Sequence, residues 1–151
     1  MDIVRRNTDY AIRLVFNLAK RHENGPVSTR TAASEEDVPY QLACKVMQKL
    51  HNAGLVESSM GPKGGFGLSK KPAKINLLEI IETIQGPLSL NRCVLSEDTC
   101  SRQNHCPVRV KLISLQEKIS SSLAGIKLDE LLRISRARKK TRQKVVIRRK
   151  R

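Results

Sequence analysis

Cys93, Cys100 and Cys106 crowd into one stretch, with six residues in the first gap and five in the second. A thiolate is a soft anionic donor, and three of them on one loop can wrap an iron-sulphur cluster or a zinc ion. The stretch contains no Cys-x-x-Cys knuckle, the tight spacing on which ordinary structural zinc sites rely, so the zinc reading is the weaker. Three thiolates are one short of the usual four ligands. His105 could be the fourth but neighbours Cys106, and adjacent side chains rarely converge on one small ion, so it reads as a loop residue. A carboxylate could fill the open corner. Cys44 falls on the outward face of a helical pattern and reads as a small exposed residue. No nucleophile and base pair, phosphate loop or paired catalytic carboxylates stand out, so an enzyme is not expected.

The chain that carries this loop has 151 residues, 39% of them hydrophobic, with 29 Lys plus Arg against 14 Asp plus Glu, a net charge of +15. That suits one compact core and excludes a large multidomain enzyme. The aromatic residues are Tyr10, Phe16, Tyr40 and Phe66, with no Trp, which argues against a sheet that stacks bases on several rings. No apolar run approaches the roughly 18 residues of a membrane span, and the first residues form no signal-peptide core, so a cytoplasmic protein with no membrane partner is expected. Thiols stay reduced there, which favours free, metal-bound or redox-active cysteines over disulfides. The charge is uneven, because residues 133–151 hold eleven Lys or Arg and no acid. Such a tail repels itself, is expected to be disordered when free, and would be drawn to a polyanion by counterion release. A solvated tail that aids solubility is the plainer alternative.

The elements that must position the loop follow from periodicity and punctuation. Ala11, Leu14, Val15, Leu18 and Ala19 recur at helical spacing behind the capping candidates Asn7 and Thr8, until Gly25-Pro26. Ser28 can cap a second helix, Thr29 to Glu36, and Pro39 suits the first position of a third, with Leu42, Ala43, Val46, Met47 and Leu50 inward and Gly54 as its stop. Two helices joined by a short turn, the second with a polar and basic outer face, match a helix-turn-helix. Residues 55–60 and 66–68 read as strands around the turn 61–65, a hairpin wing whose glycines would let the backbone approach a phosphate. Asn76 and Glu79 have capping-box spacing before Leu77, Ile80, Ile81 and Ile84. Pro107 opens a longer helix in which Val108, Leu112, Leu115, Ile119 and Leu123 form a seam suited to a partner helix, and 126–132 would add one short turn.

The segment Asn7-Thr8-Asp9-Tyr10-Ala11-Ile12-Arg13, the run Leu50 to Val56, the wing Gly61 to Leu68, the stretch Ile75 to Leu88 and the three cysteines together resemble the Rrf-type winged-helix regulators, the family of IscR and NsrR. The resemblance covers roughly residues 1–132. It implies a homodimer that binds a near-palindromic double-stranded DNA operator and usually represses transcription. In the NsrR-like branch it implies a four-iron cluster on the three cysteines, completed by an Asp of the partner's first helix at the position of Asp9. A 2Fe-2S cluster is the other form. The His that completes the site in IscR-like members is replaced here by Arg109. The first cysteine gap is one residue longer than in these relatives, Met60 stands where the wing often has Arg, and Asp37 where the turn often has Gly, although Asp tolerates a left-handed backbone.

The expected architecture is mainly α with a small β-hairpin wing: a winged helix-turn-helix over 1–88, a cluster-binding loop over 89–106, a dimerisation helix and short C-terminal helix over 107–132, and the basic tail. DNA contacts are expected from Arg30 to phosphate, from Tyr40, Gln41 and Lys45 in the major groove, and from Lys63 on the wing. Cys93, Cys100, Cys106 and Asp9 are the expected ligands. The expected function is cluster-dependent regulation that senses nitric oxide or redox and iron status. The rivals are a sensor of iron or cluster supply and a zinc-bound or cluster-free nucleic-acid-binding protein.

Overall fold

The computed structural model describes residues 3–96 and 100–149, with 139–149 as backbone only. The middle of the expected cysteine loop, 97–99, and the last two tail residues lie outside the described residues. In chain order the elements are α1 (Arg6–Lys20), α2 (Thr29–Glu35), α3 (Tyr40–Asn52), β1 (Val56–Ser59), β2 (Gly65–Leu68), α4 (Leu77–Gln85), α5 (Arg92–Leu95), α6 (Pro107–Gly125) and α7 (Leu128–Arg149). Short 3-10 turns occupy Pro72–Lys74 and Gln103–His105. This is a mainly α winged-helix fold with a two-stranded antiparallel hairpin, in which Val56 faces Leu68 and Ser59 faces Gly65.

The apolar stripes find one another as their spacing requires. Ala11, Leu14, Val15, Leu18 and Ala19 of α1, Ala43, Val46, Met47 and Leu50 of α3, and Ile80 and Ile84 of α4 form one buried cluster, closed by Val56 and Leu68 of the hairpin. Ala32 and Ala33 are buried too, and their small side chains let α2 approach closely. Ser28 caps α2 by accepting from the Thr31 N–H at 3.1 Å, and Asn76 caps α4 by accepting from the Glu79 N–H at 2.9 Å. Asp37 adopts φ 51° in the turn between α2 and α3, the left-handed conformation that Asp tolerates. Polar contacts tie α1 to α2: the Asn17 amide donates to Glu35 and to Glu36, each at 2.9 Å. That hydrogen bond, and then the one from Arg21, hold the Glu35 carboxyl below its ordinary range. Its small contribution is present above the unfolded-state value and is lost as pH falls through the lowered one.

Three expectations are corrected. The first helix is not capped by Asn7 or Thr8, because it begins at Arg6 with Arg5 at the cap. Thr8 is buried, and its hydroxyl donates to Gln85 Oε1 at 2.7 Å, so a tertiary partner replaces the local one. Pro39 sits at the cap of α3 rather than at its first position. The short turn expected over 126–132 is instead the start of a longer helix, α7, which carries on into the basic tail as far as Arg149. No Gly or Pro interrupts it, and the straight side chains of Lys, Arg and Gln lose little freedom in a helix. Asp129 and Glu130 favour its first turn electrostatically, and Asp129 pairs with Arg133 at 2.8 Å. Among the described residues no helix is long and apolar enough to cross a membrane.

Candidate functional site

The outer face of the helix-turn-helix is built by leftover positions: once α3 turns Ala43, Val46, Met47 and Leu50 inward, Gln41 and Lys45 are exposed one turn apart. Tyr40 at its first turn is 47% exposed. The Arg30 guanidinium lies over the Tyr40 ring at 4.9 Å, so the first turns of α2 and α3 present one continuous cationic and aromatic edge. Lys63 is exposed at the tip of the wing. Among the described residues Arg30, Lys45 and Lys63 join none of the observed ion pairs, which leaves their charges available to an anionic partner. Met60, beside them on the wing, is fully exposed.

The wing is held to this face by contacts that the hairpin pattern did not reveal. Val27 and Phe66 exchange backbone hydrogen bonds of 2.9 and 2.8 Å, adding a rung between the wing and the residues that enter α2. His51 Nδ1 lies 3.1 Å from the Val56 carbonyl oxygen, so α3 reaches the base of the wing. The wing glycines serve the protein's own backbone as much as any phosphate. A Cβ on Gly65 would stand 2.3 Å from the Val27 carbonyl oxygen, and one on Gly64 2.3 Å from that of Ser59. Gly65→Ala is therefore expected to push the wing off the entry to α2 and to cost about 1–3 kcal/mol, the scale of overpacking. Urea unfolding checks this, and an unchanged midpoint would show that the close approach is not needed.

The cysteine loop is spread over three local structures. Cys93 lies on the single-turn α5, Cys100 in the following segment and Cys106 at the cap of α6; Cys93 and Cys106 are half-buried and Cys100 exposed. All are free thiols, as is the half-buried Cys44. Two side chains of α6 hold the loop: Arg109 Nε donates to the Cys93 carbonyl at 2.8 Å, and the Gln116 side chain accepts from the Leu90 N–H at 3.1 Å. Asp9 lies on α1, half-exposed and paired with Arg13 at 2.7 Å. Among the described residues no three His, Cys, Asp or Glu side chains gather as a metal site, so no three of Cys93, Cys100, Cys106 and Asp9 meet within one chain. The donor set nevertheless fits a cluster in kind: three unpaired soft thiols on one loop. Gln103 Oε1, between the second and third cysteines, is buried without a hydrogen-bond partner, so the loop's polar groups are incompletely satisfied as it stands.

Sequence reasoning missed Gln85. Its Oε1 accepts from the Thr8 hydroxyl and from the Arg5 N–H at 3.1 Å, while its amide donates to the Ile3 carbonyl at 2.9 Å. It thus clamps the start of α1 to the end of α4, just where Gly86 turns the chain (φ 83°) toward the cysteine loop. A glutamine closing the helix immediately before the Gly86-Pro87 stop was the available signal.

Comparison with known proteins agrees with this geometry. Residues 4–134 match the profile of the Rrf2 family, described as iron-dependent transcriptional regulators. The chain is 28% identical to the transcriptional regulator IscR of Aliivibrio salmonicida over 82% of its own length and 73% of that protein. Among solved structures it is similar to IscR of T. potens, with a TM-score of 0.73 and 23% identity over 87% of each chain. It is also similar to CymR, the global cysteine regulator of B. subtilis, with a TM-score of 0.71 and 26% identity over 87% of this chain and 96% of the other. These relatives are regulators of transcription, not enzymes.

Proposed function

The chain belongs to the Rrf2 family of transcriptional regulators, and from that premise we propose that it is a homodimeric repressor whose grip on an operator is set by an iron-sulphur cluster on the cysteine loop. The observation that carries the DNA-reading part is the exposed edge formed by Arg30, Tyr40, Gln41 and Lys45, with Lys63 exposed at the wing tip, whose cations join none of the ion pairs observed among the described residues. An α-helix enters the major groove, where Gln can bind adenine through two hydrogen bonds, while Lys63 and Arg30 neutralise phosphates. Dimerisation is supported by α6, which leaves Val108 62% and Leu115 48% exposed along one seam, apolar area that a second copy would cover.

Cys93, Cys100 and Cys106 would hold the cluster, with Asp9 of the partner's α1 in the fourth position. When bound, that group would supply a centre that responds to nitric oxide, to redox state or to iron supply. The chain's own part is transmission. Arg109 ties the Cys93 backbone to α6, and Gln85 ties the end of α4 to the first turn of α1, which packs on α3. A displaced loop would therefore pull on both the dimer seam and the reading helix. A second reading, control through the thiols without bound metal, is supported by the four free cysteines and by the likeness to CymR, a cysteine regulator.

Selection of a duplex from a random-sequence library tests the reading. Gln41→Ala is expected to change the preferred base at particular positions, each worth about 1–3 kcal/mol of discrimination. Lys63→Ala is expected to weaken all duplexes alike and to lower the salt slope by about one. Equal losses on every sequence for Gln41→Ala would remove it from base reading, and failure of the wild type to select any duplex would sink the operator-binding function.

A further inference from the structure

We infer that the basic half of α7 is a helical arm that lies on the phosphates of the duplex flanking the operator. This rests on the DNA-reading function proposed above and deepens it. The root of the arm is firm. The Leu128 side chain is wholly buried, its N–H donates to the Ile75 carbonyl at 3.1 Å, and the Leu77 N–H donates to the Ile126 carbonyl at 3.1 Å. Leu131 and Leu132 pack on the same core. From there α7 runs along α1, and Ile134, Ser135 and Arg138 line one groove with Ile12, Arg13 and Glu36. Glu36 caps the C-terminal end of α2, next to the Asp37 turn of the helix-turn-helix. The charge run therefore leaves the folded body beside the DNA-reading unit rather than at a remote end.

Beyond Arg138 the helix continues to Arg149, about 16 Å at 1.5 Å per residue. Positions 136, 140, 144 and 148 are all Lys or Arg, and a four-residue period sets them in a row that winds slowly about the helix, each step rising about 6 Å and turning about 40°. No acid follows Glu130, so this row has no counter-charge within the arm, and like charges at that spacing repel. A duplex, with one negative charge per roughly 1.7 Å of axis, removes the repulsion and releases counterions. The same cations could serve RNA or an anionic membrane, but a departure point beside Glu36, at the turn between α2 and α3, favours the DNA that those helices read.

The test uses the full chain with Arg136→Gln, Lys140→Gln, Lys144→Gln and Arg148→Gln combined, since Gln preserves helix propensity. The probes are the duplex selected by the wild type, once trimmed to the site and once with flanks of about 10 base pairs. On the flanked duplex the expected result is a salt slope lower by about one per lost contact, up to about four per chain, with affinity at least about tenfold weaker near physiological salt. The preference among sequences should persist, and the defect should shrink on the trimmed duplex. An unchanged slope on the flanked duplex would overturn the arm while leaving the reading function intact. So would a defect seen only with single-stranded RNA or anionic phospholipid vesicles. A wild type that selects no duplex overturns both.

Discussion

Protein purified without oxygen is expected to show broad visible absorption with near-equal iron and acid-labile sulphide, and each of Cys93→Ala, Cys100→Ala and Cys106→Ala should abolish it. The three thiols are free and lie on one loop, and Arg109 fixes the backbone of the first to the helix that the third begins. With only three thiolates available, loss of any one leaves too few ligands for a cluster. The fall in retained iron should exceed the roughly 10- to 100-fold typical of outer-shell partners. Asp9→Ala should give a milder result, a coloured protein that loses its iron faster on dilution, because a carboxylate is a harder and more readily displaced donor than a thiolate. Cys44→Ala serves as the control and should leave iron unchanged, since that residue lies on α3. If all three loop variants keep their iron, or the wild type stays colourless after reconstitution, the cluster is not held here and control through the thiols themselves becomes the better account.

Leu128→Ala is expected to destabilise the fold by about 2–5 kcal/mol, the range for emptying a fully buried leucine site. In a domain of this size that corresponds to a fall in Tm of several degrees to about 20 °C. Leu128 belongs to the same buried cluster as Ile75, against which Leu131 and Leu132 also pack, and its N–H donates to the Ile75 carbonyl in the segment that follows the wing. Removing it should loosen the base of the wing together with the root of α7, so DNA affinity should fall even at temperatures where the rest stays folded. Far-ultraviolet circular dichroism on heating, with duplex binding at 25 °C, measures both. A loss below about 1 kcal/mol would mean that α7 is only laid against the core and not part of it.

Much of the architecture was legible because its signals are local. The stripe from Ala11 to Ala19, the caps at Ser28 and Asn76, the Gly54 stop and the hairpin between Val56 and Leu68 each depend on residues within one or two turns of one another. The exposed edge of α3 was equally readable, since positions that cannot face the core must face outward. What escaped is long-range. Thr8 has the composition of a cap but spends its hydroxyl on Gln85, 77 residues away in the chain. Gly65 reads as turn flexibility, yet its missing side chain is what lets the wing touch Val27. The charge of the tail argued for disorder, and the helical root that Leu128 buries could not be weighed without knowing that Ile75 would meet it.

By itself, then, the amino-acid order determined the first four helices, the long helix after Pro107 and the hairpin, which face of α3 is polar, and that three thiols share a loop, because backbone preference and apolar periodicity act over a few residues. Only the tertiary structure decided that Arg30 stacks on Tyr40, that α7 leaves the core beside the helix-turn-helix, and that Gln85 clamps the start of α1 to the end of α4. Those outcomes depend on the packing of surfaces remote in sequence, whose contacts form only when the whole core closes.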